Sequence, residues 1–438
     1  MGHLVGKDIY RKLGKKIDNL TVKVPWNETF YNILKELYTT EEADLLVKMP
    51  YTIASLNKIS QVTKYEESKL RKLLDGLCTK GLVVDIYVRG KYYYMPAPMV
   101  IGIFEFTMMR TGENLETKKW AKLFYEYMGE DNIFYAANFG KGQKISIERA
   151  LPHEEVIETS EYVKILDYEN VTNIIENHKK FAIGICSCRH EKLHVGKKEC
   201  DVPLNKCVTF GLSADYLIRH DFAKEVSKTE MLETTAHSKE LGLVLNADNV
   251  QNNVSFICHC CKCCCNTLLG ISKHGYPGVI VTSNYIMKID ENKCNGCGIC
   301  ARDCPINAIE MVPTTGAESK IKARPKVDES ICLGCGVCAL RCKPEAAKLK
   351  KRDKRVLHPH NTFERVILQC LERGTLQNQI FNDPNSISQK AMRGIVGGFL
   401  KLPPVKKALM SDMLRSSFLA SLKKGANLKG GRDWLSKM

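Results

Sequence analysis

Two short cysteine runs near the middle of the chain have residue types and spacing suited to metal chemistry. The run CNGCGICARDCP, with gaps of two, two and three residues and a closing proline, contains Cys294, Cys297, Cys300 and Cys304. The run CLGCGVCALRCKP repeats this spacing, with Lys343 inserted before its proline, and contains Cys332, Cys335, Cys338 and Cys342. Two-residue steps let one tight loop place three thiolates on three corners of a metal–sulfur cubane, and the intervening glycines let the backbone wind closely around it.

This spacing resembles that of two-cluster bacterial ferredoxins over about 60 residues. The resemblance implies two [4Fe-4S] clusters with crossed ligands. The first would be held by Cys294, Cys297, Cys300 and Cys342, and the second by Cys332, Cys335, Cys338 and Cys304. It also implies that short packing segments begin at Ala308 and Ile309 and at Ala346 and Ala347. The link TTGAESKIKARPK is long and polar for this family, and a pair of structural zinc sites is the alternative, although zinc usually takes two separated C-x2-4-C pairs.

Ten further cysteines lie upstream in two groups. The first group is Cys186, Cys188, Cys200 and Cys207. It suits one [4Fe-4S] cluster whose charge Arg189, Lys197 and Lys198 would offset, but the spacing is not a ferredoxin run. A zinc site made by the four cysteines, or one that includes His190 or His194, competes with that interpretation.

The second upstream group is the knot CHCCKCCC, which contains Cys258, Cys260, Cys261, Cys263, Cys264 and Cys265. Six thiols this close cannot all reach one cubane, so some belong to the cluster of Cys186 or to a cluster of their own. We therefore expect one or two [4Fe-4S] clusters beyond the ferredoxin pair, with zinc or free thiols as the alternative. His259 is a ligand or, as is commoner in such loops, a hydrogen-bond donor behind the ligands. Cys78 and Cys370 are expected to be small buried hydrophobes.

The bunching of the cysteines excludes a secreted disulfide scaffold, because 18 of the 20 lie between Cys186 and Cys342. The first residues lack an apolar signal region, and no run of 18 apolar residues occurs. We therefore expect a reducing, cytoplasmic and anaerobic setting. The formal net charge of +16 is concentrated in the tail, where 19 Lys and Arg stand against 6 Asp and Glu from Lys348 onward. This charge suits acidic redox partners, an anionic membrane face or a solvated surface wrapped on the protein.

Patterning predicts an α+β, multidomain chain. Its predicted parts are a lead (1–29), a winged-helix-like domain (30–110), a mixed α/β connector (111–180), a central Cys-rich α/β region (181–283), a (βαβ)2-type ferredoxin domain (284–349) and a basic helical tail (350–438). The winged helix is predicted from TTEEADLLVKM, SLNKISQV and EESKLRKLLDGLCTK, followed by two strands at VVDIYV and YYYM. In the tail, one amphipathic helix after Pro403 and Pro404 would place on one side Met410, Met413, Leu414, Phe418 and Leu422.

The leading functional hypothesis is an electron carrier or electron-transfer subunit that relays single low-potential electrons between partner enzymes, with cysteine ligands and no catalytic residue. No dinucleotide, Walker A or haem motif is present in the sequence. A redox-sensing regulator that binds DNA through the winged helix is a second hypothesis. It is less favoured because the third helix carries acidic as well as basic residues, namely Glu66, Glu67 and Asp75 beside Lys69, Arg71 and Lys72. A third is an oxidoreductase with an atypical substrate-binding cluster at residues 258–265.

Overall fold

The computed structural model describes residues 8–158, 166–314 and 321–428 and combines helices and sheets, compatible with the α+β class. The α-helices are α1 (Ile9–Asp18), α2 (Glu28–Leu37), α3 (Thr40–Lys48), α4 (Leu56–Thr63), α5 (Glu67–Thr79), α6 (Phe104–Met109), α7 (Thr117–Phe124), α8 (Ile133–Phe139), α9 (Val171–Glu176), α10 (Ser187–His194), α11 (Gly211–Arg219), α12 (Lys228–Glu240), α13 (Asn266–Ser272), α14 (Ile299–Asp303), α15 (Val337–Leu340), α16 (Thr362–Arg373), α17 (Leu376–Ile380), α18 (Ile387–Lys401), α19 (Pro403–Met410) and α20 (Asp412–Leu428).

The strands form four sheets. They are β1 (Ala54–Ser55), β2 (Val83–Val88), β3 (Lys91–Pro96), β4 (Glu148–Leu151), β5 (Phe181–Ile185), β6 (Asn205–Phe210), β7 (Ala223–Val226), β8 (Val244–Asp248), β9 (Phe256–Cys260), β10 (Ile280–Val281), β11 (Tyr285–Ile289), β12 (Ile309–Pro313), β13 (Ala323–Val327) and β14 (Ala347–Lys351). The start of the predicted lead (1–7), residues 159–165 of the connector, residues 315–320 of the polar link and the end of the tail (429–438) lie outside the described residues.

Helices α3, α4 and α5 and strands β2 and β3 lie where the sequence predicts them, whereas α1, α2 and β1 were not predicted. Helix α3 begins after Thr39, whose side chain forms a capping box with that of Glu42. Helix α5 buries Leu70, Leu74 and Leu77 at helical spacing. The three strands form an antiparallel sheet in the order β1-β3-β2. These elements belong to one large apolar core that continues into the cysteine-rich parts.

A seven-stranded sheet forms the centre of the protein, in the order β10-β4-β8-β9-β6-β5-β7. Strands β10 and β4 are parallel, and the other neighbouring pairs of this sheet are antiparallel. Strand β4 comes from the predicted connector, so the connector supplies an inner strand to the cysteine-rich sheet. The register places Cys207 opposite Cys258 and Val244 opposite Cys260. Two of the sequence-distant cysteines therefore meet across one pair of strands.

The segment from β11 to β14 has two similar halves, each with a cysteine loop and a short helix between strands. Strand β11 pairs with β14, and β12 pairs with β13, both antiparallel. Helices α14 and α15 begin after Gly298 and Gly336, whose φ angles are +72° and +85°. Glycine adopts this left-handed conformation without the steric cost that a Cβ brings, so the loops can turn sharply around their cysteines.

The C-terminal helices only partly follow the prediction. The single helix expected after Pro403 is two helices, because the backbone is extended at Ser411 (φ −70°, ψ 152°) and leaves the helical path there. The Ser411 hydroxyl donates to the Ala408 carbonyl at 2.6 Å and helps to close α19. After this break Met413 is 85% exposed, so it does not share a buried side with Phe418. Among the described helices, none has both the length and the apolarity that crossing a bilayer requires.

Candidate metal centres

Two cavities in the β11–β14 segment are each lined by four cysteines. One is lined by Cys304, Cys332, Cys335 and Cys338. The other is lined by Cys294, Cys297, Cys300 and Cys342. Each cavity thus receives the first three thiols of one run and the fourth thiol of the other run, which is the grouping that the ferredoxin resemblance implies.

Close backbone packing fixes the loop of the second cysteine run. A Cβ at Gly334 would lie 2.0 Å from the carbonyl oxygen of Tyr285, on the neighbouring strand β11. No side chain fits at that distance, so glycine is required there. Backbone N–H groups also point at the sulfurs: Ala308 donates to Cys304 Sγ at 3.2 Å, and Ala347 donates to Cys342 Sγ at 3.4 Å. Such hydrogen bonds stabilise thiolate ligands.

The two cavities differ in exposure. The cysteines of the first cavity are all buried, whereas Cys297 of the second is exposed. Burial raises the pKa of Cys335 to about 12 and that of Cys300 to about 11. Thiols of this kind stay protonated at neutral pH unless a metal replaces the proton. The arrangement therefore suits a buried metal centre beside one that reaches the surface.

In space, the ten upstream cysteines form two groups, and their membership differs from that of the two groups that are consecutive in the sequence. The first, called here the compact thiol group, consists of Cys200, Cys261, Cys263 and Cys264. Its four Sγ atoms all lie within 4.8 Å of one another. Cys200 Sγ is 3.6 Å from Cys261 Sγ, and Cys263 Sγ lies 4.0 Å from Cys261 Sγ and 3.3 Å from Cys264 Sγ. The structure therefore removes Cys200 from the predicted set of Cys186, Cys188 and Cys207.

The second, called here the extended thiol group, consists of Cys186, Cys188, Cys207, Cys258, Cys260 and Cys265. Its side chains follow one another as neighbours: Cys188 lies between Cys186 and Cys265, and Cys260 lies between Cys265 and Cys258. Cys207 is paired with Cys258 across β6 and β9. Its thiols span more space than the compact thiol group, because no three of them lie within 4.8 Å of one another. Cys186 and Cys265 stand at the N-caps of α10 and α13.

His259 lies on the opposite side of β9 from its two cysteine neighbours, since alternate residues of a strand face opposite sides. Its Nδ1 is 2.7 Å from the Ser238 hydroxyl, and burial lowers its pKa to about 3. The neutral His259 ring thus lies on the side of β9 that faces away from Cys258 and Cys260, and it holds the strand through its contact with Ser238. His190 and His194 contact each other, with 2.9 Å between their Nε2 atoms, and His190 Nδ1 is 2.6 Å from the Met108 carbonyl. Neither belongs to the compact thiol group.

The predicted charge compensation is made mainly by Arg189. This side chain is fully buried, and its Nε donates to Cys261 Sγ at 3.3 Å. It also donates to the backbone carbonyl of His259. Burial alone would lower the pKa of Arg189, but the nearby Cys186 and Cys261 thiols raise it. Of the two predicted lysines, Lys198 donates to the Cys200 carbonyl, whereas Lys197 is exposed.

Three carboxyl groups near the extended thiol group were not singled out from the sequence; two are buried and Glu105 is half-buried. They are Glu105, Glu148 and Glu191. Burial raises the pKa of Glu105 to about 7 and that of Glu148 well above its ordinary value. Glu191 is paired with Lys192, and the Asn266 amide donates to it at 3.0 Å. The sequence does contain one indication of such a group. Glu105 interrupts the apolar run MPAPMVIGIFEFTMM, and an unpaired carboxylate among apolar residues costs free energy.

The upstream thiols and the β11–β14 segment are joined by direct contacts. Lys262 of the cysteine knot donates to the Arg302 carbonyl at 3.0 Å, beside the Cys304 loop. His153 donates its backbone N–H to the Cys335 carbonyl at 2.9 Å, and its Nε2 lies 2.9 Å from the Leu243 carbonyl. The segment around His153 thus contacts both the loop of Cys335 and Leu243, the residue directly before β8.

The two isolated cysteines are buried, as expected. Cys370 lies in the core of the C-terminal helices. Cys78 lies close to Asp85 and His220 in a group that could in principle take a metal ion. However, Nη1 of Arg219 contacts both carboxylate oxygens of Asp85 at 2.8 Å, so this carboxylate already has a cationic partner.

Comparison with known proteins agrees with the geometry of the β11–β14 segment. Residues 293–346 match the family model of the 4Fe-4S dicluster domain. The comparisons with curated proteins and with solved structures give no match. The chain therefore carries an iron–sulfur dicluster domain, which supports iron–sulfur electron transfer as its general chemistry.

Proposed function

We propose that the protein relays single low-potential electrons between partner redox proteins through a series of [4Fe-4S] clusters. The observation that carries this proposal is the pair of four-cysteine cavities, because each has the ligands of one cluster and the two lie within one small domain. Their ligands are the eight cysteines that line these cavities. No acid, base or nucleophile is needed for this function.

A third [4Fe-4S] cluster is proposed at the extended thiol group. Four of its six thiols would be ligands, and no three of the six lie close enough together to offer a compact site for one ion. Lys262 and His153 connect the cysteine-rich part that holds both upstream thiol groups to the loops around the buried cavity. The proposed path therefore runs from the extended thiol group through the buried cluster to the cluster of Cys297, which is exposed to a partner.

Residues 30–99 are proposed to form a winged helix with a structural role, against which the cysteine-rich part packs. Tyr216 of α11 donates its hydroxyl hydrogen to the Cys78 and Val83 carbonyls, at 3.2 and 3.1 Å. On α5, Lys69 is paired with Glu41 at 2.6 Å. Both contacts favour a structural role for this unit over DNA binding, because its α5 and β2 are docked on the cysteine-rich part and Lys69, one of three basic side chains on α5, has an acidic partner.

The C-terminal part is proposed to contact an anionic membrane face. Helix α18 and the residue that caps it, Leu402, carry an exposed apolar stripe at a spacing of three and four residues: Met392, Ile395, Phe399 and Leu402. Lysines occur on the same two helices: at helical spacing Lys390 and Lys401 lie on the face of α18 opposite the stripe, and Lys406 and Lys407 follow in α19. A helix with an exposed apolar face and basic residues nearby is typical of surface-bound amphipathic helices.

Anaerobic reduction and reoxidation test the proposed relay. The purified protein should bleach when a low-potential donor is added and recover when a chemical oxidant follows, because each cubane takes up and returns one electron. A spectrum that does not respond to either reagent would contradict the proposal.

A further inference from the structure

We infer that the compact thiol group binds a single Zn²⁺ ion in a tetrahedral site that carries no electrons. The inference concerns Cys200, Cys261, Cys263 and Cys264, whose Sγ atoms lie within 4.8 Å of one another. It does not depend on the proposed electron relay, because zinc has no redox chemistry in proteins.

The distances between the sulfur atoms match one ion better than a cluster. A tetrahedral Zn²⁺ with Zn–S bonds of about 2.3 Å separates its sulfurs by about 3.8 Å. In the compact thiol group, Cys263 Sγ lies 3.3 Å from Cys264 Sγ and 4.0 Å from Cys261 Sγ, and Cys200 Sγ lies 3.6 Å from Cys261 Sγ. Cubane ligands bind four different iron atoms and stand further apart. In agreement, the described cysteines of the two dicluster cavities include no set of three within the same 4.8 Å.

The surroundings of the compact thiol group suit a closed structural site. Val202, Leu241 and Leu243 pack against the four cysteines and shield them from water. Four thiolates around Zn²⁺ leave a net charge of two negative units, which calls for cationic or N–H partners. Arg189 supplies one such partner, with its Nε 3.3 Å from Cys261 Sγ. Four sulfur ligands would fill all the positions of a tetrahedral ion, which is typical of structural rather than catalytic zinc.

The site would join two loops that share no strand pairing. Cys200 lies in a segment without regular secondary structure between α10 and β6, 61 residues before Cys261. The other three ligands lie in the turn between β9 and α13. This turn also carries Lys262, which reaches the Arg302 carbonyl. A zinc ion there would fix the turn against which the dicluster domain docks.

The test is metal analysis of the full-length protein, purified without oxygen from cells supplied with iron and zinc. We expect about one zinc per chain, and X-ray absorption at the zinc edge should show four sulfur neighbours at about 2.3 Å without a nearby iron atom. Absence of zinc in protein that contains iron, or a mononuclear iron in its place, would overturn the inference. This spectrum needs no variant, so it does not depend on a mutant that folds.

Two single variants of the cysteine knot distinguish the proposed zinc site from the proposed cluster site. Cys263→Ser should lose most of its zinc and keep its iron and acid-labile sulfide, because only a zinc ligand is removed. Cys258→Ser, five residues away in the extended thiol group, should keep its zinc. Loss of iron and sulfide in Cys263→Ser, with zinc content unaffected, would overturn the inference. Zinc present in protein that holds no iron or sulfide would instead contradict the proposed relay and leave the zinc site standing.

Discussion

Arg189 Nε lies 3.3 Å from Cys261 Sγ, and the two residues are 72 positions apart in the chain. This contact brings a buried cation from α10 against the cysteine knot. Because Arg189 is fully buried, its charge acts in a medium of low dielectric, where an attraction to thiolates is stronger than at the surface. Arg189 therefore provides a positive charge that offsets the negative charge of the thiolates in the compact thiol group.

Replacement of Arg189 should weaken metal binding at the compact thiol group. Arg189→Gln removes the charge and the donor to Cys261, and we expect metal affinity to fall by about 10- to 100-fold, as for other losses of groups that support ligands. Zinc loss to a competing chelator measures the effect. The matched control is Lys197→Gln, which removes an exposed cation from the same region and should behave as wild type. Equal affinity in Arg189→Gln and wild type would refute this role.

The crossed ligand pattern predicts which thiols become reactive when one ligand is removed. In Cys342→Ser the cluster at the exposed cavity should be lost, so Cys294, Cys297 and Cys300 should react with an alkylating reagent. Cys332, Cys335 and Cys338 should stay protected by the other cluster. Mass spectrometry of the alkylated protein gives the answer. Labelling of Cys332, Cys335 and Cys338 instead would show that the ligands are not crossed.

The ion pair between Asp85 and Arg219 should stabilise the docking of the N-terminal unit. Asp85→Asn removes a buried charge partner of Arg219, and we expect the free energy of unfolding to fall by about 2 kcal/mol. Anaerobic thermal denaturation followed by tryptophan fluorescence measures the loss. Asp75→Asn, at an exposed position of α5, serves as the control and should change the midpoint little. A midpoint unchanged in Asp85→Asn would exclude a stabilising role for the pair.

The same pair should show a defined pH dependence. Burial acts to raise the pKa of Asp85, but hydrogen bonds and charge from His220 and Arg219 hold it below its ordinary value. A carboxyl with a lowered pKa contributes stability above its unfolded pKa, about 4, and this contribution is lost as the pH falls through the folded pKa. The difference between wild type and Asp85→Asn should thus be full at neutral pH and shrink below about pH 4. A difference that grows on acidification would contradict this account.

The apolar stripe of α18 should bind anionic vesicles. Ile395 is 69% exposed and Phe399 is 56% exposed, and replacement of both by serine removes apolar surface without touching the buried side of the helix. We expect wild type to float with vesicles that contain phosphatidylserine and the double variant to bind them at least tenfold more weakly. Gly398→Ser is the control, since a side chain there would meet open space. Equal flotation of wild type and double variant would contradict a membrane role of this stripe.

The dicluster domain could be predicted from the sequence because its ligand spacing is local. The two runs contain three ligands each within a single loop, and the glycines at 334 and 336 are explained by close backbone contacts and left-handed φ angles. The N-terminal helices could be predicted for a similar reason, since their caps and leucine spacing are local signals. Both features depend on residues a few positions apart.

The grouping of the upstream cysteines could not be predicted in this way. It depends on the pairing of Cys207 with Cys258 across two strands and on the approach of Cys200 to Cys261 through a loop. Neither contact has a sequence pattern, because strand register and loop packing are set by the whole sheet. The break at Ser411 was missed as well, since the apolar pattern continues through it while the backbone does not.

The most direct test of the central claim is iron and acid-labile sulfide quantification in anaerobically purified protein, combined with an EPR-monitored redox titration. Three [4Fe-4S] clusters predict about twelve iron and about twelve sulfide per chain, with signals that appear on reduction at low potential and disappear on reoxidation. Iron and sulfide contents near zero, or signals that do not respond to potential, would contradict the account of this protein as an iron–sulfur electron carrier.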